Sequence, residues 1–252
     1  MELFKNIATS KIIILFIITL LVNHLQAQTK NKEINTQSQF WISMNSTTRL
    51  TKKWGFISDA HIRRNNFIAD PSFYFIRGAI NYWIKDEITA AFGFGKMWVA
   101  PSTANWHHFM EETRVYQQIQ MISKTGEITF LHRLRSEQRW QEKIENDTFT
   151  GNYKFTNRVR YLLSATIPIW KNKKLPALVL SDELLIQFGN EVVYNTFDQN
   201  RLFIGIKQNL SRSLSFDFGF MQVKQQKASG YQYDKNNTLR LFFYYMPDLR
   251  KH

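Results

Sequence analysis

The stretch Tyr153-Lys154-Phe155-Thr156-Asn157-Arg158-Val159-Arg160-Tyr161-Leu162-Leu163-Ser164-Ala165-Thr166-Ile167-Pro168-Ile169-Trp170 decides the fold. Its odd positions, Tyr153, Phe155, Asn157, Val159, Tyr161, Leu163, Ala165, Ile167 and Ile169, are almost wholly apolar. Its even positions, Lys154, Thr156, Arg158, Arg160, Leu162, Ser164, Thr166 and Pro168, are mostly polar. Successive side chains of a strand point to opposite faces, so this alternation predicts a strand with two unlike surfaces. A helix would mix the two sets on every face.

The same period recurs outward from this segment. In Ser213–Gln226, Leu214, Phe216, Phe218 and Phe220 oppose Ser215, Asp217 and Gly219. In Asn200–Leu210, Leu202, Ile204 and Ile206 oppose Arg201, Gly205 and Lys207. Thr238–Met246 alternates through Leu239, Leu241, Phe243 and Tyr245. Ser72–Ile84 sets Tyr74, Ile76, Ile80, Tyr82 and Ile84 against Arg77 and Asn81, and Trp54–Arg64 sets Trp54, Phe56, Ala60 and Ile62 against Asp59, His61 and Arg63. Further strands are expected near Gln37–Leu50, Glu87–Ala100, His108–Ile122, Glu127–Glu142 and Ala177–Asn190. Short connections near Lys52, Lys85-Asp86, Thr125-Gly126, Asn172-Lys173 and Ser211-Arg212 alternate with longer ones near Asn65–Pro71, Pro101–Asn105, Lys143–Asn152, Glu191–Gln199 and Lys227–Asn236. Long strands with short turns at one end and longer loops at the other are the habit of outer-membrane barrels. A sandwich or lipocalin-like barrel would also alternate, with its apolar face inward. The expected fold is therefore all-β, an antiparallel up-and-down transmembrane β-barrel. Eleven strands are clear, but bacterial single-chain barrels have even numbers. A further strand from Thr29–Thr36 makes about 12 strands, with 10 the alternative.

Composition and the first residues agree with export. Lys5 and Lys11 precede the apolar run Ile12 to Val22, and Ala27 supplies a small residue at a cleavage site. This predicts a signal peptide over 1–27, with 28–252 as the barrel domain. The run is shorter than the ~20 apolar residues of a spanning helix, and charges interrupt every later one. Entry into a membrane must then be as a closed barrel, here in the outer membrane of a Gram-negative bacterium. Aromatic residues reach 15%, and 21 of them are Phe. There is no Cys, which excludes disulfides, thiolate metal sites and a lipid-modified cysteine. The net charge of +13 is spread singly along many segments, so a nucleic-acid interface is not expected.

Arg133-Leu134-Arg135-Ser136-Glu137-Gln138-Arg139 reads R-x-R-x-E-x-R. It lies between Glu112-Thr113-Arg114 and Arg158-Val159-Arg160-Tyr161, with Asp182-Glu183, Gln199-Asn200-Arg201 and Gly205 later, and Phe40-Trp41, Trp54 and Arg63 before. This order resembles a family of outer-membrane proteins known as domain of unknown function 2490, with Asp182 where the family has Asn. The resemblance implies a barrel location and supplies no activity.

The charged residues share the face opposite the apolar one. Glu112, Arg114, Arg133, Arg135, Glu137, Arg139, Arg158, Arg160, Glu183, Arg201, Lys207 and Arg240 form a candidate lumen network. Rings of Arg select anions, so one reading is a narrow anion-preferring pore or small-solute uptake channel. The alternative is a non-conducting structural or partner-binding barrel filled by ion pairs. A lipid hydrolase is a third class: His132, Ser136 and Gln138 share the outer face, yet residues four apart on a strand lie ~13 Å apart. His107-His108 would point to opposite faces, which defeats chelation. No cofactor motif occurs: there is no Walker loop, dinucleotide fingerprint or H-E-x-x-H. The expected partners are the lipid bilayer and small anionic solutes.

One register can be argued from charge. If facing numbers in the 108–122 and 127–142 strands sum to 249, Glu112 opposes Glu137 and Arg114 opposes Arg135. A sum of 251 gives the opposite-charge pairs Glu112–Arg139 and Arg114–Glu137 and centres the turn on Thr125-Gly126. The expectation is 251.

Overall fold

The computed structural model describes residues 31–172 and 175–250. The expected signal peptide and its cleavage after Ala27 lie outside the described residues, as do Thr29 and Lys173. Eleven strands follow one another: β1 (Glu33–Arg49), β2 (Trp54–Asn65), β3 (Asp70–Lys85), β4 (Ile88–Val99), β5 (Met110–Thr125), β6 (Ile128–Glu145), β7 (Thr148–Ile167), β8 (Ala177–Phe188), β9 (Phe197–Asn209), β10 (Leu214–Gln226) and β11 (Gln232–Tyr245). Each pairs with its sequence neighbour, and β1 pairs with β11 to close a barrel.

The strand number is neither 12 nor 10. Glu33–Thr36 prolong β1 instead of turning back as a strand of their own, and pair in unbroken register with Gln232–Lys235. An odd count forces the first and last strands to run the same way, so β1 and β11 pair in parallel while every other pair is antiparallel. The strand ends therefore open on opposite rims. Glu33 lies at the rim with connections 66–69, 100–109, 146–147, 189–196 and 227–231; Tyr245 lies at the rim with 50–53, 86–87, 126–127, 168–176 and 210–213.

Two connections differ from expectation. The loop expected over Lys143–Asn152 is mostly strand, and β6 turns into β7 through Asn146-Asp147 alone. Both residues have positive φ, 49° and 60°, as a type I′ hairpin turn requires. The short connection expected at Asn172-Lys173 lies partly outside the described residues; β7 ends at Ile167, directly before Pro168. Pro lacks the N–H that a continuing ladder needs. Asn236, expected in a loop, faces inward from β11 and is buried, as is Thr238 of the expected strand.

Following hydrogen-bonded partners once round the barrel gives the stagger. Arg49 leads through Gly55, Asn81, Ala91, Gln118, Arg135, Arg160, Leu185, Gln199, Gln225 and Asp234 to Asn35. The chain thus returns 14 residues from its start (49 minus 35). With this stagger the strands tilt by about 40° and the backbone radius is roughly 11 Å.

The two faces are inverted relative to a protein with an oily core. Ile76, Ile80, Phe92, Phe94, Ile119, Leu134, Leu202, Ile204, Phe218 and Phe220 point outward and are exposed. Among the described residues, buried polar and charged side chains outnumber buried apolar ones. One small apolar cluster, Trp41, Val179, Phe203, Met221 and Val223 with Phe242, lines the inner wall beside the parallel seam.

The β5–β6 register corrects the charge argument. Glu112 faces Gln141, Arg114 faces Arg139, and Tyr116 faces Glu137, so partners sum to 253. The turn is Gly126-Glu127, and Gly126 has φ 59°. A two-residue turn with one positive φ at its first position is the II′ type, and glycine adopts that conformation without a Cβ clash. The register of 251 would have placed Thr125 there. Arg114 and Arg139, although opposed, find other partners described below.

Because the chain has no Cys, engineered pairs report the seam cleanly. Gln39→Cys with Thr238→Cys, and Ser43→Cys with Phe242→Cys, should each oxidise to an internal disulfide, since paired Cα atoms lie about 5 Å apart. Gln39→Cys with Phe242→Cys should stay reduced on the same gel. The reverse pattern would mean that the seam runs antiparallel.

Candidate functional site: the charged lumen

All twelve residues expected in the lumen are on the inner face. Period-two alternation puts Glu112 and Arg114 of β5, Arg133, Arg135, Glu137 and Arg139 of β6, and Arg158 and Arg160 of β7 on one wall. Glu183 of β8 and Arg201 and Lys207 of β9 continue it, and Arg240 projects from β11. Ten of these meet in one network, whereas Lys207 and Arg240 belong to a second cluster nearer the Tyr245 rim.

Two glutamates are the hubs of the network. Glu137 accepts hydrogen bonds from Nε and Nη2 of Arg158, the former at 2.8 Å, and from Arg160 Nη1 at 2.9 Å. Arg135 Nη1 stands 3.6 Å away and Arg114 Nη1 4.0 Å away. Glu183 accepts from Arg160 Nη2 at 2.8 Å, Arg133 Nη2 at 2.8 Å and Arg201 Nη1 at 3.0 Å. Arg160 therefore bridges the hubs. Around them, Arg158 Nη1 donates to Asp198 at 3.0 Å, and Glu112 accepts from Arg114 and Gln141. Arg139 donates to Thr156 and Gln187, and Arg135 to Gln118. In the second cluster Asp217 accepts from Arg240 at 2.6 Å and from the Tyr244 hydroxyl at 2.6 Å.

Aromatic rings cover guanidinium faces that carboxylates do not. Arg77 and Arg135 lie 5.0 and 4.9 Å from the Tyr116 centroid, and Arg240 lies 3.5 Å from that of Phe203. Arg63 sits between Trp41, 3.2 Å away, and Phe73, 4.2 Å away. Such stacking suits the planar, weakly hydrated guanidinium.

Several of these residues were outside the expected set. Asp59 and Arg77 form an ion pair, and both were already on the polar parity of their strands. Arg63, also on that parity, faces inward and has no carboxylate within ion-pair distance among the described residues. Asp198 was placed in a loop. A bulge where Ile186 pairs with Phe197 and Leu185 with Gln199 breaks the alternation there, so parity could not find it.

The inner face is unbalanced. Arg63, Arg77, Arg114, Arg133, Arg135, Arg139, Arg158, Arg160, Arg201, Arg240 and Lys207 oppose Asp59, Glu112, Glu137, Glu183, Asp198 and Asp217. These eleven cations exceed the six carboxylates by five, so the carboxylates are shared and neutral acceptors and aromatic rings serve the remainder.

The outer-face residues weighed for a hydrolase do not come together. His132 Nδ1 lies 2.9 Å from the Tyr161 hydroxyl, and Ser136 Oγ accepts from Gln138 at 3.3 Å, with no bond between His132 and Ser136. Asp182, in mid-strand on the outer face, accepts from Asn200 at 2.6 Å. At the Glu33 rim, the Asp147 carboxylate accepts the backbone N–H groups of His107 at 2.9 Å and His108 at 2.7 Å. These donors hold its carboxyl below the usual range. The β6–β7 hairpin tip is thereby tied to the β4–β5 connection. Among the described residues no group of three or more His, Cys, Asp or Glu is arranged to hold a metal.

A family model described as protein of unknown function (DUF2490) matches residues 38–245. No curated protein and no solved structure matches the chain. The match spans most of the sequence, and the chain belongs to that family.

Glu137→Ala should destabilise the barrel by about 3–5 kcal/mol, because it strands buried guanidinium groups. Gln138→Ala, which removes only outer-face bonds to Gln117 and Ser136, should cost less than ~1 kcal/mol. Urea unfolding of the refolded variants measures both.

Proposed function

We propose that this member of the family is an outer-membrane β-barrel whose arginine-rich interior serves small anionic solutes through a narrow path. The observation that carries this reading is the pairing of an exposed apolar wall with a buried inner face holding five excess cations. Contiguous apolar surface beyond a few hundred Å² is rare on proteins that stay in water. Here it encircles the barrel. Trp98 and Trp140 stand toward the Glu33 rim and Trp54 and Tyr82 toward the other, as aromatic girdles do at the two membrane interfaces. The signal-like segment over 12–22 supports export. In this orientation Glu33 and the connections 100–109 and 189–196 face outside, while Tyr245 and the long connection between β7 and β8 face the periplasm.

The interior is narrow. An eight-stranded barrel is filled by side chains and 16–18 strands leave an aqueous channel; eleven lie between. Glu112, Tyr116, Leu185 and Val223 are at most 1% exposed, so the wall side chains pack across much of the lumen. That packing favours a second reading, a barrel closed to solutes in its resting state, with the same charged interior serving as a scaffold.

Purified, refolded protein in planar bilayers distinguishes the two. The permeation reading expects small, anion-preferring conductance, weakened or reversed when Arg135 and Arg158 are both replaced by Glu. Silent bilayers from protein that still shifts on unheated gels would favour the closed scaffold. Recovery of native protein from the periplasmic fluid would remove the membrane reading altogether.

A further inference from the structure

Two inner-face cations meet at one aromatic ring. Trp41 of β1 has Arg63 of β2 at 3.2 Å and Arg201 of β9 at 5.4 Å from its ring centroid, so β1 brings the two guanidinium groups to one indole across the parallel seam's flank. We propose that the lumen binds a small oxyanion, of the phosphate class, between Arg63 and Arg201 beside Trp41. The proposal rests on the reading of the lumen as an anion environment, and does not require that the barrel conduct.

Arg63 is the centre of the argument. Trp41 and Phe73, its register partners on the two flanking strands, both lie against its guanidinium, so its N–H groups are what it offers a ligand. Its Nε is buried and has no hydrogen-bond partner. An unsatisfied buried donor on a full charge is costly, and native structures rarely keep one without a ligand or ordered water. Two residues earlier on the same inner face, the Nδ1 of His61 is likewise buried without a partner. His61 is wedged against Phe75 and Phe242, which hold its ring in place.

Arg201 completes the pair. Its Nη1 donates to Glu183, and its Nε and Nη2 donate to the Gln199 side-chain oxygen at 3.0 and 2.6 Å. Glu183 is already shared with Arg133 and Arg160, so one carboxylate serves three guanidinium groups. An added anion would relieve that deficit. Within the barrel, the Arg201 and Arg133 side chains remain 11% and 21% exposed. The ligand class follows from the donors. Guanidinium edges match two oxygens at once, as phosphate or carboxylate presents them, whereas a halide offers a single point. Arg139 is a weaker candidate, because neutral Thr156 and Gln187 already accept its hydrogen bonds.

The test is thermal unfolding of the refolded full chain in a maltoside detergent, which itself carries no phosphate. Inorganic phosphate is titrated against sodium chloride at matched ionic strength. The wild-type Tm should rise with phosphate in a saturable way and not with chloride. Arg63→Gln should lose at least tenfold in phosphate affinity while its Tm in chloride stays level or rises, because an uncompensated charge is removed. Arg63→Lys keeps the charge but loses the fork, and should show the same loss of affinity; it carries the test if the Gln variant does not refold. Lys207→Gln, in the other cluster, should keep the phosphate response. Equal shifts in phosphate and chloride, or an undiminished phosphate response in both Arg63 variants, would overturn the proposal. Phosphate binding with silent bilayers would leave the site standing and remove the permeation reading; anion conductance without a phosphate response would do the converse.

Discussion

A guanidinium group cannot be left alone inside a barrel whose lumen is packed with side chains. Everything in this structure is arranged around that constraint. The apolar parity of each strand is turned outward, so the charged parity has nowhere to go but the interior. There each cation must find a carboxylate, a neutral acceptor or an aromatic face. Glu137 and Glu183 meet the demand for most of them, each serving several arginines, with Arg160 spanning the two. Tyr116, Trp41, Phe73 and Phe203 meet it for others by stacking. The ion pairs are thus the core of the protein, in the place that oily side chains occupy elsewhere, and they close much of the lumen at the same time.

The barrel's stagger decides which charges can meet. A hydrogen-bonded row does not circle at constant height but climbs 14 residues in one turn. Long arginines then reach across it to residues that no neighbouring pairing would suggest. Arg133 donates to Glu183, two strands away, and Arg158 to Asp198, also two strands away. Local pairing is correspondingly unimportant: Arg114 and Arg139 face each other directly because each is satisfied by a different residue. The network is cooperative in the sense that few members have only one partner.

This explains what could be read from the sequence. Alternation depends on the wall alone, so the strands around Tyr153–Ile167 and Leu214–Gln226 and the inward direction of all twelve chosen lumen residues were legible. Register depends on the turn and on distant partners. The pairing of Glu112 with Arg139 looked favourable, but Glu112 is served instead by Arg114 of its own strand and by Gln141, and Gly126, with its positive φ, decided the turn. The strand count failed on a general expectation of even numbers, which the uninterrupted β1 from Glu33 to Arg49 does not obey. Arg63, the residue with the least compensation, had been seen as part of a polar face. Its significance emerges only when Trp41 and Phe73 are found on either side of it.

The central claim is the inverted wall, with lipid outside and charge inside. Its most direct measurement is a cysteine scan of residues 133–140 of β6 in reconstituted bilayers, with nitroxide labels read for collision with lipid-dissolved oxygen. The account predicts high collision rates at Leu134, Ser136, Gln138 and Trp140 and low rates at Arg133, Arg135, Glu137 and Arg139. A uniform water-exposed profile, or high lipid contact at the arginine positions, would contradict it.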